Sequence, residues 1–378
     1  MKPERAWATI DLDVIANNLK LLRQRLPDKK FLAVVKADAY GHGSIPVSKR
    51  LEQENIDFLG VGTCREALDL RESGITTRIL VLGALVEPEL DLLIDQEISV
   101  TIHSPGRIEV LGKTALTMGR ELGVHLLVDT GMSRLGVSPA QAVAHARNIA
   151  HCEGLRFEGI GTHLPTPSDS SEVFRQREIL HEIVKDLENL RIRPLLVHID
   201  ASEAALRYPD PDAEMVRIGG ALYGFFNHLP GGAGLEAALS LHSQIVYLRD
   251  HPADHPVGYN ATYTTTRKSR LATVPIGYHD GFPSTLSNRG QVIIRGQRVP
   301  VVGRVTMDYT VIDVTDVPGT VVGDEVTLIG SDRNERIEAE EISRWCGILP
   351  YEVTCLLGRR INRHHVATIS RELELEGR

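Results

Sequence analysis

At 378 residues the chain is too long for one ordinary core, so two domains are the natural expectation. Its 42% hydrophobic and 24% charged content are those of a globular protein, and no apolar run is long enough to span a bilayer. A net charge of -8 and a pI near 6.0 argue against a nucleic-acid or anionic-membrane surface.

The start, Met1-Lys2-Pro3-Glu4-Arg5, is not followed by the apolar core of a secretory signal, so a cytoplasmic enzyme is expected. Cys64, Cys152, Cys346 and Cys355 form no CxxC pair and suggest neither a disulfide framework nor a zinc site. The 15 histidines include no HExxH, and His364-His365, in an Arg-rich stretch, reads as a solvated face.

Ala6–Leu12 is the first strand-like run. From residue 31 such runs alternate with amphipathic helical stretches. They are Phe31–Ala37, Phe58–Thr63, Ile79–Gly83, Ser99–His103, Val124–Thr130, Phe157–His163, Leu195–Asp200 and Met215–Ile218. Cys64–Ser73, Pro88–Gln96 and Ser171–Leu190 read as helices between them. Strand-then-helix repetition predicts a parallel sheet, and eight units in about 200 residues predict a closed (β/α)8 barrel of the TIM type. An open dinucleotide-binding sheet would want GxGxxG after an early strand, and none is there.

Near residue 235 the texture changes. Gly231–Gly234 reads as a linker. Beyond it Gln244–Leu248, Leu271–Val274, Gln291–Ile294, Val299–Val302, Thr310–Val314 and Glu325–Leu328 are strand-like, with helical patterning scarce until Ile337–Cys346. The predicted organisation is an α/β barrel over 12–235, then a mainly β domain over 236–378. The leftover run Ala6–Leu12 places residues 1–11 with the second domain.

Functional groups of such a barrel sit where strands end. Lys36, in "AVVKADAYGHG", ends the first strand. Asp129 and Arg134, in "VDTGMSRLG", follow the fifth; His163, in "GIGTHL", ends the sixth; Ser202, in "VHIDAS", follows the seventh; Arg217, in "MVRIGGALYG", lies in the eighth. Singly, each has a plainer reading: a surface lysine or arginine, a core histidine, a capping serine. Together they place a lysine, two arginines, a histidine and an anion-friendly Gly-Gly turn on one face. That is equipment for an anionic cofactor joined to lysine as a Schiff base.

"AVVKADAYGHG" resembles the pyridoxal-phosphate lysine segment of the alanine racemases. "AWATIDLD", "DTGMSRLG", "VRIGGALYG", "VGYNATY", "PIGYHDG", "GRVTMD" and "LPYEV" resemble further segments of that family, in the same order and over nearly the whole chain. The resemblance implies an N-terminal pyridoxal-phosphate barrel, a C-terminal β domain, and a head-to-tail homodimer with sites at its interface. It implies interconversion of L- and D-alanine, supplying D-alanine for cell-wall peptidoglycan. No metal, nucleic acid or membrane partner is implied.

Matched motif to motif, Lys36 carries the cofactor and acts as one base. Tyr40, Ser202, the backbone N–H groups of Gly219 and Gly220, and Tyr351 hold the phosphate. Arg217 faces the pyridine nitrogen. Arg134 contacts the cofactor's phenolic oxygen and the substrate carboxylate. The partner subunit's Tyr259 is the second base, and its Met307 backbone helps hold the carboxylate. Tyr278 and Asp308 narrow the entrance. Arg217 with His163 would lower the phenol pKa of Tyr259 if they touch it.

Two positions depart from the family's pattern. Leu127 stands where the family usually has a lysine, often carbamylated, so a substitute anion beside Arg134 is expected, either chloride or a carboxylate from another segment. Ala201 precedes Ser202 where an asparagine is usual. A racemase for serine or for a broader range of amino acids remains open. A decarboxylase of the same barrel type would want an acid facing the pyridine nitrogen, against which Arg217 argues. A non-catalytic pyridoxal-phosphate carrier would stop near residue 235 and lack Tyr259.

Overall fold

Phe31–Val35 is apolar on both faces, as a parallel strand covered on both sides requires. A computed structural model of the chain, describing residues 4–85 and 90–367, shows how that requirement is met. After β1 (Ala6–Asp11) come eight parallel strands: β2 (Lys30–Val34), β3 (Phe58–Val61), β4 (Arg78–Val81), β5 (Ser99–Ile102), β6 (Leu122–Leu127), β7 (Leu155–Gly161), β8 (Leu196–Ala201) and β9 (Met215–Ile218). They pair in order, and β9 pairs back to β2, closing the predicted barrel. Phe31, Leu32, Phe58 and Leu59 are fully buried, each stabilising the fold by about 1.5–3 kcal/mol relative to exposure. The buried Tyr223 hydroxyl is satisfied by donation to the Val34 carbonyl at 2.9 Å.

Several elements are shorter than their apolar runs. β2 stops at Val34, β6 at Leu127 and β7 at Gly161, so Lys36, Asp129 and His163 lie just past their strands rather than in them. The helices run Cys64–Glu72, Leu90–Asp95 and Ser170–Asn189. Pro88, where the second of these is expected to start, lies outside the described residues. The Cys64 helix starts there because Thr63 caps it reciprocally with Glu66.

The chain divides into two compact units. One takes the described residues up to Ile15, Tyr40–Gly43, and those from Ala237 onward; the other takes Ala16–Ala39 and Ser44–Glu236. Sequence boundaries at 12 and 235 do not separate out Tyr40–Gly43. That turn is tied instead to the C-terminal part of the chain, where Arg363 donates to the Gly41 carbonyl at 2.8 Å and His365 bonds the His42 carbonyl at 2.7 Å. Gly231–Gly234 is not a loose linker. It contains a 3-10 turn with Gly232 buried, and Arg25 donates to the Gly231 and Ala233 carbonyls.

Besides β1, the strands of the unit that begins again at Ala237 are β10 (Leu239–Gln244), β11 (Tyr247–His251), β12 (Pro256–Val257), β13 (Tyr263–Thr264), β14 (Ser269–Val274), β15 (Gln291–Ile294), β16 (Gln297–Pro300), β17 (Thr310–Asp313), β18 (Glu325–Asp332), β19 (Glu335–Ile337) and β20 (Asn362–Val366). β16-β15-β18-β10-β1-β20 form the main sheet, with β19 on β18, and β11-β14-β17 form a smaller one. β1 runs antiparallel to β10 and parallel to β20. His364-His365 is thus not a solvated face: both side chains are half-buried in β20, and His364 bonds Glu4 at 2.9 Å. The run Gln244–Leu248 straddles the break between β10 and β11, and the helix expected from Ile337 starts at Ala339. Among the described residues no helix is long and apolar enough to cross a membrane.

Candidate functional site

Lys36 begins a tight turn in which Ala37, Asp38, Ala39 and Tyr40 all have φ between 52° and 56°. A left-handed turn costs non-glycine residues roughly 1–2 kcal/mol each, so something must hold it. Glu66 accepts from the Ala37 N–H at 2.7 Å through one oxygen and from the Gly62 N–H at 2.7 Å through the other. Asp38 in turn accepts from the Ser44 N–H at 2.8 Å. One capping glutamate therefore ties the start of a helix to the residue after Lys36.

At the same barrel end Ser202 opens a short helix after β8. Its Oγ accepts from the N–H groups of Gly219 and Ala221, at 3.0 and 3.2 Å. None of the described hydrogen bonds uses the buried N–H of Gly220. A Cβ on Gly220 would come within 2.9 Å of the Phe226 ring, so only glycine leaves this turn open.

Arg217, in β9, is buried and makes five bonds, all from its two terminal nitrogens. They go to the carbonyls of His198, Thr162 and Ile199, to His198 Nδ1 at 2.7 Å and to His163 Nδ1 at 3.3 Å. Its Nε makes none of them. Burial lowers the Arg217 pKa to about 10, which leaves the guanidinium charged at neutral pH. His163 is held down to about pKa 3 by burial, then by the charges of Arg217, Arg134 and Lys36. It is a neutral imidazole whose Nδ1 accepts, which leaves its Nε2 as the donor.

Asp129 shapes the next loop, accepting from the N–H groups of Gly131 and Ser133 at 3.0 Å each. Arg134 follows. It is exposed, and among the described residues no carboxylate from another segment bonds it. It lines a cavity of about 370 Å3 with Thr101, His103, Ser104 and Arg107. Leu127 is half-buried at the end of β6.

The remaining candidates belong to the other unit. The Tyr40 and Tyr351 rings meet edge to face at 5.9 Å, and burial raises the Tyr40 phenol pKa. Tyr278, Met307 and Asp308 are brought together by main-chain bonds: the Tyr278 N–H donates to Thr306 at 3.0 Å and the His279 N–H to the Met307 carbonyl at 3.2 Å. Gly277 permits this approach, since a Cβ there would lie 2.3 Å from the Thr306 carbonyl. Arg360 holds Asp308 at 2.7 Å and Asp280 at 2.8 Å. Tyr259 follows Gly258 (φ +72), whose backbone packs against Gly303 and Arg304, and it is 70% exposed, the most exposed large hydrophobic side chain described.

Three residues escaped the sequence reading. They are buried side chains in β8, β6 and β7: His198 bonds Arg217, His125 bonds His198, and Glu158 bonds His125. The signal was present: each is a polar residue flanked by apolar or glycine neighbours inside its strand.

These residues fit pyridoxal phosphate. Lysine, arginines and a turn with an unused buried N–H suit an aldehyde-bearing phosphate, and the Arg217 Nε is a donor for a ring nitrogen. The family model "Alanine racemase, N-terminal domain" matches residues 10–226, and "Alanine racemase, C-terminal domain" matches 238–365. The chain is 36% identical over 364 residues to an alanine racemase of Halothermothrix orenii, covering 95% of this chain and 96% of that one. The solved alanine racemase of Clostridium difficile 630 superposes with a TM-score of 0.92 at 32% identity, covering 97% of each chain. That of Bartonella henselae, solved with covalently bound pyridoxal phosphate, superposes with a TM-score of 0.85 at 30% identity, covering 96% of this chain and 100% of that one.

Proposed function

Since the chain belongs to the alanine racemase family and is a racemase of that family, we propose that it interconverts L- and D-alanine with pyridoxal phosphate, using Lys36 and Tyr259 as two bases. The observation that supports this reading is the neutral His163 at the barrel end, bonded by Arg217 at 3.3 Å and kept neutral by burial and by the charges of Arg217, Arg134 and Lys36. Pyridoxal phosphate held by these residues would supply an electron sink for the bond broken at the α-carbon.

The chain's residues supply the rest. The Lys36 Nζ takes the α-proton from one face of the substrate. The Tyr259 hydroxyl of a second copy delivers a proton to the opposite face, and the roles exchange in the reverse direction. Free phenol and lysine amine titrate near about 10 and 10.4, so both need nearby cations to act at neutral pH. Arg134 orients the substrate carboxylate, assisted by the Met307 backbone. Ser202, Gly219, Gly220, Tyr40 and Tyr351 hold the phosphate. Arg217 would hold the ring nitrogen with a donor that keeps its own proton, and would so favour reprotonation at the α-carbon. Tyr278 and Asp308 border the entrance. The homodimer this scheme requires, a cytoplasmic setting and a role in supplying D-alanine for peptidoglycan complete the reading.

The test is chiral chromatography of L-alanine incubated with the purified protein and pyridoxal phosphate. Equal amounts of the two enantiomers are expected at equilibrium. No D-alanine, with serine or a longer amino acid racemised instead, would move the assignment to another substrate.

A further inference from the structure

Arg217 has no lone pair to offer, so where it meets His198 Nδ1 at 2.7 Å it is the donor and the imidazole the acceptor. The direction of the next bonds follows. A neutral His198 carries its proton on Nε2, which lies 2.9 Å from His125 Nδ1. His125 must therefore accept there and carry its own proton on Nε2, which lies 3.2 Å from Glu158 Oε2. The chain of donors ends on a carboxylate. All four side chains are buried, Glu158 and His125 completely.

The barrel is shaped to admit this line. A Cβ on Gly159 would lie 2.3 Å from the His125 ring, and one on Gly161 would lie 2.4 Å from the His198 ring. Gly159 pairs with His125 and Gly161 with His198 across neighbouring strands, so each imidazole occupies the space its facing residue vacates. A Cβ on Gly123 would likewise lie 2.8 Å from Glu158 Oε2. Glu158 itself is fixed from several sides. Ser99 Oγ donates to Oε2 at 2.6 Å, Arg156 approaches Oε1 at 3.3 Å, and Arg78 pairs with Oε1 as well.

We infer that Glu158 is a positioning residue for the reaction, acting through His125 and His198 to hold Arg217 in one orientation and both imidazoles in one neutral tautomer. The inference rests on the reading that Arg217 faces the cofactor. Both histidines must stay neutral for it to work, since a second cation would repel the guanidinium; burial lowers the pKa of each, with Arg78, Arg217 and Arg156 adding to it at His125 and Arg217 at His198. The Glu158 charge also reaches the cofactor through two polarisable rings in a medium where charges are weakly screened.

Neutron diffraction of perdeuterated crystals at neutral pH tests the geometry without reference to activity. Deuterium on Nε2 and none on Nδ1 of both His125 and His198 is expected; an Nδ1 deuteron on either overturns the inference. The cofactor-loaded protein then tests the consequence. Glu158→Gln keeps the shape and removes the charge, so the pH midpoint of the cofactor's visible band should move down by about one unit. The kcat for alanine should fall with KM little changed. Glu158→Asp should restore part of both. Glu121→Gln, which removes an exposed partner of Arg156, should change neither. An unmoved midpoint in Glu158→Gln overturns the inference if Arg217→Lys moves it. If Arg217→Lys leaves the band unmoved as well, the reading that Arg217 faces the cofactor fails with it.

Discussion

A Cβ placed on Gly161 would lie 2.4 Å from the ring of His198, one strand away in the barrel. Gly161→Ala therefore forces the imidazole off Arg217 or the strands apart. A loss of about 1–3 kcal/mol in stability is expected, together with weaker cofactor retention. Gly106→Ala, where an added Cβ meets nothing within 4 Å, should be near neutral. Urea unfolding of the two variants checks this, and equal midpoints would remove the packing argument.

Acid should unfold the protein through its buried histidines. The unfolded chain takes up protons at them near pH 6.5, whereas the fold delays this to about pH 3 at His125 and well below 6.5 at His198. Below pH 6.5 the unfolded state thus binds more protons, so stability falls as pH falls through this window, by about 1 kcal/mol per histidine between pH 6.5 and 5.5. A His125→Asn variant should show a shallower slope than the wild type in urea titrations over that range. Coincident slopes would contradict the pH argument.

Lys36 should be the residue that carries the cofactor. Borohydride reduction of the loaded protein followed by peptide mapping is expected to place the pyridoxyl group there. A label on Lys30 or Lys49 instead would discard the assignment.

Tyr259 and Lys36 are expected to act from different subunits. Tyr259→Phe and Lys36→Ala should each lose racemisation, and mixing them with subunit exchange should restore part of it, because one hybrid site contains both bases. Verified heterodimers without activity would count against a shared site.

Arg134 is exposed and has no carboxylate bonded to it among the described residues, so its role rests on what it binds. Arg134→Lys loses the planar fork and should raise KM for alanine roughly tenfold with a smaller change in kcat. A bromide soak read by anomalous diffraction would show whether a halide takes the place opposite Leu127. No peak there would leave water as the only partner of the guanidinium.

Much of the barrel was legible because a parallel strand must be apolar on both faces, and eight such runs alternating with helical patterns admit few architectures. Strand ends were not: Val35 and Val128 continue the apolar pattern and still donate to the Gly60 and Gly161 carbonyls at 2.8 Å, yet the strands themselves end at Val34 and Leu127. The membership of β1 followed from counting strands, but β20 did not, since Asn362–Val366 carries polar residues that read as a solvated segment.

The line from Arg217 to Glu158 marks the limit of what order along the chain determines. The sequence alone placed Lys36, Arg134 and His163 near the ends of strands and Arg217 within one, because apolar runs alternating with helical patterns show where strands lie to within a few residues. Only the closed barrel decided that His125, Glu158 and His198, on three neighbouring strands, share one buried line. Register sets which residues face one another across strands, and the space left by Gly159 and Gly161 sets which rings fit between them. Neither is a local property: both arise when eight strands close and every buried polar atom must find its partner.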